Sequence, residues 1–306
     1  DAAGALGGDF ATILDSRTVI NDADVVFSTV DTVGIPLMLL KRARLVRPPL
    51  VYTAIGLPER LARLRNERAR RLFRSALRST HTVIAYSAAE AERLREWMGS
   101  GGPPVVFVPF GVDPGLFRPL DPDAGTVDVV AIGADPQRDF EVLLSVAMRR
   151  PELSFRIVTS ADHVRALGAV PSNVVIETDI PLEAARERLA QARVVALPVR
   201  ANSYSGATTT LLQAMAMAKP VVVSRTEAIE AGYGLVNSVN CRLVAPGDAE
   251  AFGAALDELL ADPTAAATLG QQARNTVVDG FSWQRYTDAL WQIVSAAAGA
   301  NSENRR

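Results

Sequence analysis

PVRANSYSGATTTLLQAMAMAKPVVVS, residues 198–224, is the stretch on which the reading of this chain turns. It leaves an apolar run, Val194-Val195-Ala196-Leu197, that is too short for a helix and is bounded by Pro198, as a buried strand is. A polar loop follows, with Asn202, Ser203, Tyr204, Ser205 and Gly206. Residues Thr208 to Ala218 are rich in Leu, Met and Ala and predict a helix. Pro220 ends it, because Lys219 before a proline is pushed out of the helical region. Val221-Val222-Val223 is the next strand, so the unit is βαβ with parallel strands.

The loop carries the candidate chemistry. The first N–H groups of a helix have no partner inside it, and the helix dipole makes them an anion site. Gly206 permits close backbone approach, and Thr208, Thr209 and Thr210 add hydroxyls on the first turn. Ligands of open α/β sheets sit at the carboxyl ends of the strands. A mono- or diphosphate fits such a loop, and so does the plainer alternative of a helix merely capped by Ser or Thr.

Outward from this unit, strands alternate with helices along the whole chain, the pattern of parallel sheets covered on both faces. Strands are expected at 24–28, 50–54, 82–86 and 105–109, and again at 127–133, 154–159, 173–177, 194–197, 221–223 and 241–245. Helices are expected at 32–45 with an interruption near Pro36, as one long Arg-rich helix from Glu59 to Ser79, and after Ser87, whose capping box would use Glu90. Further helices fall at 140–148, 162–167, 182–191, 208–218, 249–260, 265–278 and 283–298. Gly111 to Pro122 is turn-rich and reads as a linker. Two alternating runs split by a linker give two Rossmann-like domains, with a cleft between them as the expected ligand site.

Composition limits the function classes. The chain has 306 residues, 48% hydrophobic and 22% charged, with a net charge of −2. No global basic field points to nucleic acid. Of 32 basic residues, only Lys41 and Lys219 are not arginine. Cys241 is the single cysteine and excludes an intramolecular disulfide, which suggests a reducing, cytoplasmic setting. His81 and His163 offer no metal-ligand spacing, so neither a metal nor a cofactor is expected. No apolar run nears the roughly 20 residues that span a bilayer. The Arg-rich stretch 59–79 reads either as a solvated face or as a contact for anionic headgroups at the inner face of a membrane.

At this level the chain resembles the GT-B glycosyltransferases, in particular the family-4-like (group 1) enzymes. VPFGVDPGLFRP at 108–119 is similar to their interdomain linker. Asn173 to Ile180, LLQAMAMAKPVVVS at 211–224 and NCRLVAPGDAEAF at 240–252 resemble successive segments of their nucleotide-sugar domain. FSWQRYTDAL at 281–290 resembles their closing helix. The resemblance implies an N-terminal acceptor-side domain at 1–120, a nucleotide-sugar domain at 121–282, and a closing helix crossing back at 283–306. It also implies that the first domain is incomplete, with the family's opening strand and Gly-rich acceptor loop before Asp1.

By the same resemblance the activity is hexosyl transfer from a UDP- or GDP-type nucleotide sugar to a glycan, lipid-linked or small-molecule acceptor. Transfer would be retaining and metal-independent. The donor site would comprise Gly133, Arg138, Tyr204, Ser205, Gly206, Ala207, Thr208, Thr209 and Gln213. Ser205 and Gln213 stand where the family has two glutamates eight apart, and Ile55 stands where it often has a histidine. Ser205 would address the transferred sugar and Gln213 the ribose. Of the family's usual basic pair only Arg138 is present, read either as a phosphate ligand or as a surface arginine. Asp31, after the first strand, reads as an acceptor-side base or as a helix cap. A branch of the superfamily with an Arg-Asp-aromatic turn and a Tyr-Ser-Gly loop shares these departures. The competing readings are a noncatalytic subunit of the same fold and a nucleotide-sugar epimerase.

Overall fold

A computed structural model describes residues 9–120, 126–204 and 206–304, the last four of these without their side chains. The chain divides into two compact units, Asp1–Pro109 with Tyr286–Arg306, and Phe110–Arg285.

In the first unit, β1 (Val26–Ser28), β2 (Leu50–Ala54), β3 (Thr82–Ala85) and β4 (Val105–Phe107) form a parallel sheet in that order. Val51 lies opposite Thr82 and Val83 opposite Val105. All five residues of β2 are buried, as a strand covered on both faces must be. Two short helices, α1 (Phe10–Asp15) and α2 (Arg17–Asp22), precede the sheet and were not expected. Helix α3 (Asp31–Arg42) runs unbroken through Pro36, against the expected interruption. Pro36 lacks the N–H that would reach the carbonyl of Thr32. That carbonyl instead accepts from the backbone N–H of Asp9 at 3.3 Å.

The long Arg-rich helix is two helices, α4 (Leu57–Ala62) and α5 (Glu67–Leu77). Asn66 separates them, its side-chain oxygen accepting from the N–H groups of Arg68 and Ala69 at 2.8 and 3.4 Å. An asparagine able to cap offers the backbone an alternative to continuing the helix. Helix α6 (Ala88–Met98) starts at Ser87, whose hydroxyl accepts from the Glu90 N–H at 3.3 Å.

The second unit begins with β5 (Val127–Ile132), α7 (Phe140–Met148), β6 (Phe155–Thr159), α8 (Ala161–Ala166), β7 (Val174–Thr178), α9 (Leu182–Gln191) and β8 (Ala192–Leu197). It continues with α10 (Thr208–Ala216), β9 (Val221–Ser224), α11 (Glu227–Glu230), β10 (Arg242–Val244), α12 (Ala249–Ala261) and α13 (Pro263–Gly280). Helix α14 (Trp283–Asn304) ends the described chain. The sheet is parallel, in the order β10-β9-β8-β5-β6-β7. After β5 the chain moves outward through β6 and β7, then returns to place β8 on the other side of β5. The strand order reverses between β5 and β8, and the crevice at such a point is where open α/β sheets bind ligands. Phe140, Leu143, Phe155, Val194, Phe252 and Leu256 are among the buried residues on this sheet.

Helix α10 stops two residues before the expected Ala218. The N–H of Lys219 reaches the carbonyl of Ala214 at 3.0 Å and that of Ala218 reaches Met215 at 2.9 Å, a Schellman turn. The turn holds Ala218 at φ +55°, a conformation that glycine adopts freely and a Cβ opposes. Ala218→Gly is therefore expected to stabilise the protein by about 1 kcal/mol, read as a rise in the thermal unfolding midpoint.

Candidate functional site

Two loops leave the switch point of the second unit, 133–139 after β5 and 198–207 after β8. An antiparallel bridge between Arg138 and Val199 ties them together. The N–H of Asp139 bonds Pro198 O at 3.0 Å and that of Arg200 bonds Gln137 O at 2.9 Å. The Val199 N–H is anchored on the buried Ser224 hydroxyl at 2.9 Å.

Arg138 lies inside this loop pair and is only 3% exposed, which rules out the surface-arginine alternative. One guanidinium N–H donates to Thr210 Oγ1 at 3.0 Å, while Nε has no partner among the described residues. Burial lowers its pKa to about 10, against the opposing pull of Asp135 and Tyr204, so it stays charged at neutral pH. A side chain on Gly133 would collide with this guanidinium as it is placed here.

The Asp135 carboxylate accepts the Tyr204 hydroxyl at 2.9 and 3.0 Å and the Gln137 N–H at 2.8 Å. It packs so closely on Gly206 that a Cβ there would lie 2.7 Å from its Oδ1. Sequence reasoning missed this partnership, for which no local pattern gives a signal.

Helix α10 starts from Ala207, which is buried and has no side chain that could cap it. Among the described residues, no Ser or Thr side chain caps it. The first turn carries no acidic residue. Thr208 Oγ1 is buried without a partner among the described residues, as is Asn202 Oδ1. Thr209 is exposed, and Gln213, one turn on, is the half-buried residue in an otherwise buried run from Thr210 to Met217. Leu211, Leu212, Ala214 and Met215 face the core. Ser205 lies outside the described residues, so the structure brings together Gly133, Arg138, Tyr204, Gly206, Ala207, Thr208, Thr209 and Gln213 of the expected set.

Asp31 lies in the first unit and is 6% exposed. It does not cap its helix, which starts from Val30 without a side-chain cap. Its Oδ1 accepts the Tyr52 hydroxyl at 2.5 Å and the Ile55 N–H at 3.2 Å, and Arg60 pairs with Oδ2 at 3.2 Å. Burial raises its pKa above the usual carboxylate value, against these three partners.

Glu90 is fully buried beside it. The expected capping box is half made, because the Glu90 side chain turns away from Ser87 and Oε1 accepts the Gly56 N–H at 2.6 Å. Two buried carboxyls thus hold the turn 55–57, where Gly56 sits at φ +71°. Burial pushes Glu90 up to about 8, with Asp31 and Glu59 adding to the rise and the Gly56 and Leu57 N–H groups opposing it. Spacing offered a signal, since Glu90 lies four residues before the buried Leu94 and shares its face.

The comparisons with known proteins agree with this architecture. The fold is that of the GT-B glycosyltransferases, two Rossmann-like parallel-sheet domains in succession. Residues 128–262 match the model described as Glycosyl transferases group 1, and residues 4–111 match the Glycosyl transferase 4-like domain. The chain belongs to this glycosyltransferase family.

An MMP alpha-(1->4)-mannosyltransferase of Mycolicibacterium hassiacum is 27% identical over 299 residues, 90% of this chain and 68% of that protein. A GDP-mannose-dependent alpha-(1-6)-phosphatidylinositol monomannoside mannosyltransferase of Mycolicibacterium smegmatis is 27% identical over 214 residues, 61% of this chain and 55% of that protein. The structure of a sucrose-phosphate synthase from Thermosynechococcus elongatus superposes with a TM-score of 0.78 at 20% identity, covering 95% of this chain and 79% of that one. That of Anabaena HepE in complex with UDP gives 0.77 at 18%, covering 94% and 82%. These structures share the fold. No helix among the described residues is long and apolar enough to cross a membrane.

The Glu90 carboxyl makes stability depend on pH with a definite sign. With its pKa raised from an ordinary 4.5 to about 8, it is protonated in both the folded and unfolded chain at low pH. Between these values the unfolded chain binds fewer protons, so stability falls as pH rises and levels off above about 8. Glu90→Gln is expected to remove this component, on the order of a few kcal/mol between pH 5 and pH 9. Denaturant unfolding of both proteins across that range checks it.

Proposed function

We propose that the second unit binds a UDP- or GDP-type nucleotide sugar and that the protein transfers its sugar, with retention and without a metal, to a hydroxyl of an acceptor. The observation that carries this is the uncapped start of α10 at the switch point, with the charged Arg138 buried beneath it. Backbone N–H groups of Ala207 and Thr208 suit the diphosphate, and Ser205 belongs to the same loop. Negative charge develops on the diphosphate as the sugar leaves, and preorganised donors at that position lower the barrier. The GDP-mannose in one relative's name and the UDP bound by HepE fall in the proposed donor class.

Gln213 is assigned to the donor ribose. It shares the face of exposed Thr209, and its amide bonds no described group, which argues against a structural role on the sheet. Asp31 is assigned to the acceptor side, at the carboxyl ends of β1 and β2. Its partners Tyr52, Ile55 and Arg60 fix its orientation.

Peripheral contact with anionic headgroups is assigned to the exposed Arg63, Arg65, Arg68 and Arg71, with Leu72 exposed among them. The other arginines of this region are engaged. Arg74 stacks over Trp97 at 5.1 Å and donates to its carbonyl, and Arg78 donates to Met98 O and Ser100 O at 2.9 Å.

Calorimetric titration with UDP, GDP, ADP and TDP tests the donor site, and binding by UDP or GDP is expected. Gln213→Ala is expected to weaken that binding several-fold, about 0.5–1.5 kcal/mol, with little change in melting temperature. Gln213→Glu is expected to match or exceed the original affinity. A sharp fall in melting temperature with unchanged affinity would place Gln213 in the scaffold instead.

A further inference from the structure

We infer that Asp135 is a specificity residue of the donor site, accepting hydrogen bonds from hydroxyls of the transferred sugar. The inference rests on the nucleotide-sugar reading above and adds a residue to it.

The carboxylate stands at the carboxyl end of β5, packed on Gly206 at the approach to α10. Two fixed donors aim it, the Tyr204 hydroxyl from the β8 loop and the Gln137 N–H from its own. A carboxylate has about four acceptor sites on its two oxygens, so these donors leave capacity for more. Asp135 is half-buried, so part of it stays open to solvent.

Its charge decides what that ligand group is. A carboxylate repels a diphosphate, whereas the phosphates are drawn to the N–H groups and to Arg138. The neutral, hydroxyl-bearing part of a sugar nucleotide is the part a carboxylate accepts from, and two oxygens suit two neighbouring hydroxyls. Gly206 is the residue that allows this, since any side chain there would displace the carboxylate. The arrangement separates the two ends of the ligand by charge, with the diphosphate on the helix start and the sugar on Asp135.

The test compares two ligands on the same protein. Affinities of the wild type and Asp135→Asn are measured for UDP and GDP, and for UDP-glucose and GDP-mannose. Asp135→Asn is expected to lower the ratio of sugar-nucleotide to nucleoside-diphosphate affinity roughly tenfold or more. Tyr204→Phe, which frees the carboxylate without discharging it, is expected to show a smaller loss of the same selective kind. Melting temperatures confirm that both variants are folded.

Equal losses for both ligands would make Asp135 a structural prop and overturn the inference. A marked gain in diphosphate affinity for Asp135→Asn would place the carboxylate against the phosphates and overturn it as well. If the wild type binds none of the four ligands, the donor reading itself falls and takes this inference with it. Binding of the diphosphates with no selective loss in the variants overturns the inference alone.

Discussion

A guanidinium that is charged and buried must have its hydrogen bonds and counter-charges supplied by whatever surrounds it, and Arg138 imposes that demand on the second unit. Thr210 supplies a hydroxyl from the first turn of α10, and Asp135 supplies opposing charge from the loop after β5. Gly133 has no side chain because the guanidinium fills the space where one would go. The bridge to Val199 then locks the loop after β8 to the loop after β5. Arg138 thus lies where both loops meet, its backbone in the bridge and its side chain on the first turn of α10. Its unpartnered Nε and the unpartnered Thr208 hydroxyl are polar atoms whose burial has a cost unless a ligand or water completes them.

The first unit uses the same means on a different turn. Asp31 and Glu90 reach from two helices to the backbone N–H groups at 55–57 after β2. Neither carboxyl is comfortable there, since burial raises both above their ordinary values. Glu90, pushed up to about 8, is protonated at neutral pH, and folding stability falls as it ionises. That couples the stability of the first unit to pH through Glu90.

Much of the fold was legible because its strands are short apolar runs bounded by Pro, Gly or polar clusters, as at Val194–Leu197 and Val221–Val223. Helix boundaries were less so where a local signal had a distant answer. Pro36 reads as a break, but Asp9 takes the carbonyl that proline leaves unbonded. Residues 59–79 read as one helix by composition, while the structure lets Asn66 cap a new one. Glu90 fits a capping box three residues after Ser87, yet a better donor waits at Gly56. In the site, the sequence placed Gly206 and the Thr-rich turn at the start of a helix after a buried strand, and the structure has them there. The burial of Arg138 and the grip of Tyr204 on Asp135 were not visible, because each depends on two loops more than 60 residues apart meeting at neighbouring strands.

The central claim is that the two loops at the β5–β8 switch point form one diphosphate site organised by Arg138. Amide hydrogen exchange of the intact protein, with and without saturating UDP or GDP, addresses it directly. The account predicts slowed exchange in both loops together, residues 133–139 and 206–213, when the nucleotide is added. Slowing confined to the first unit, or absent from either loop despite bound nucleotide, would contradict it.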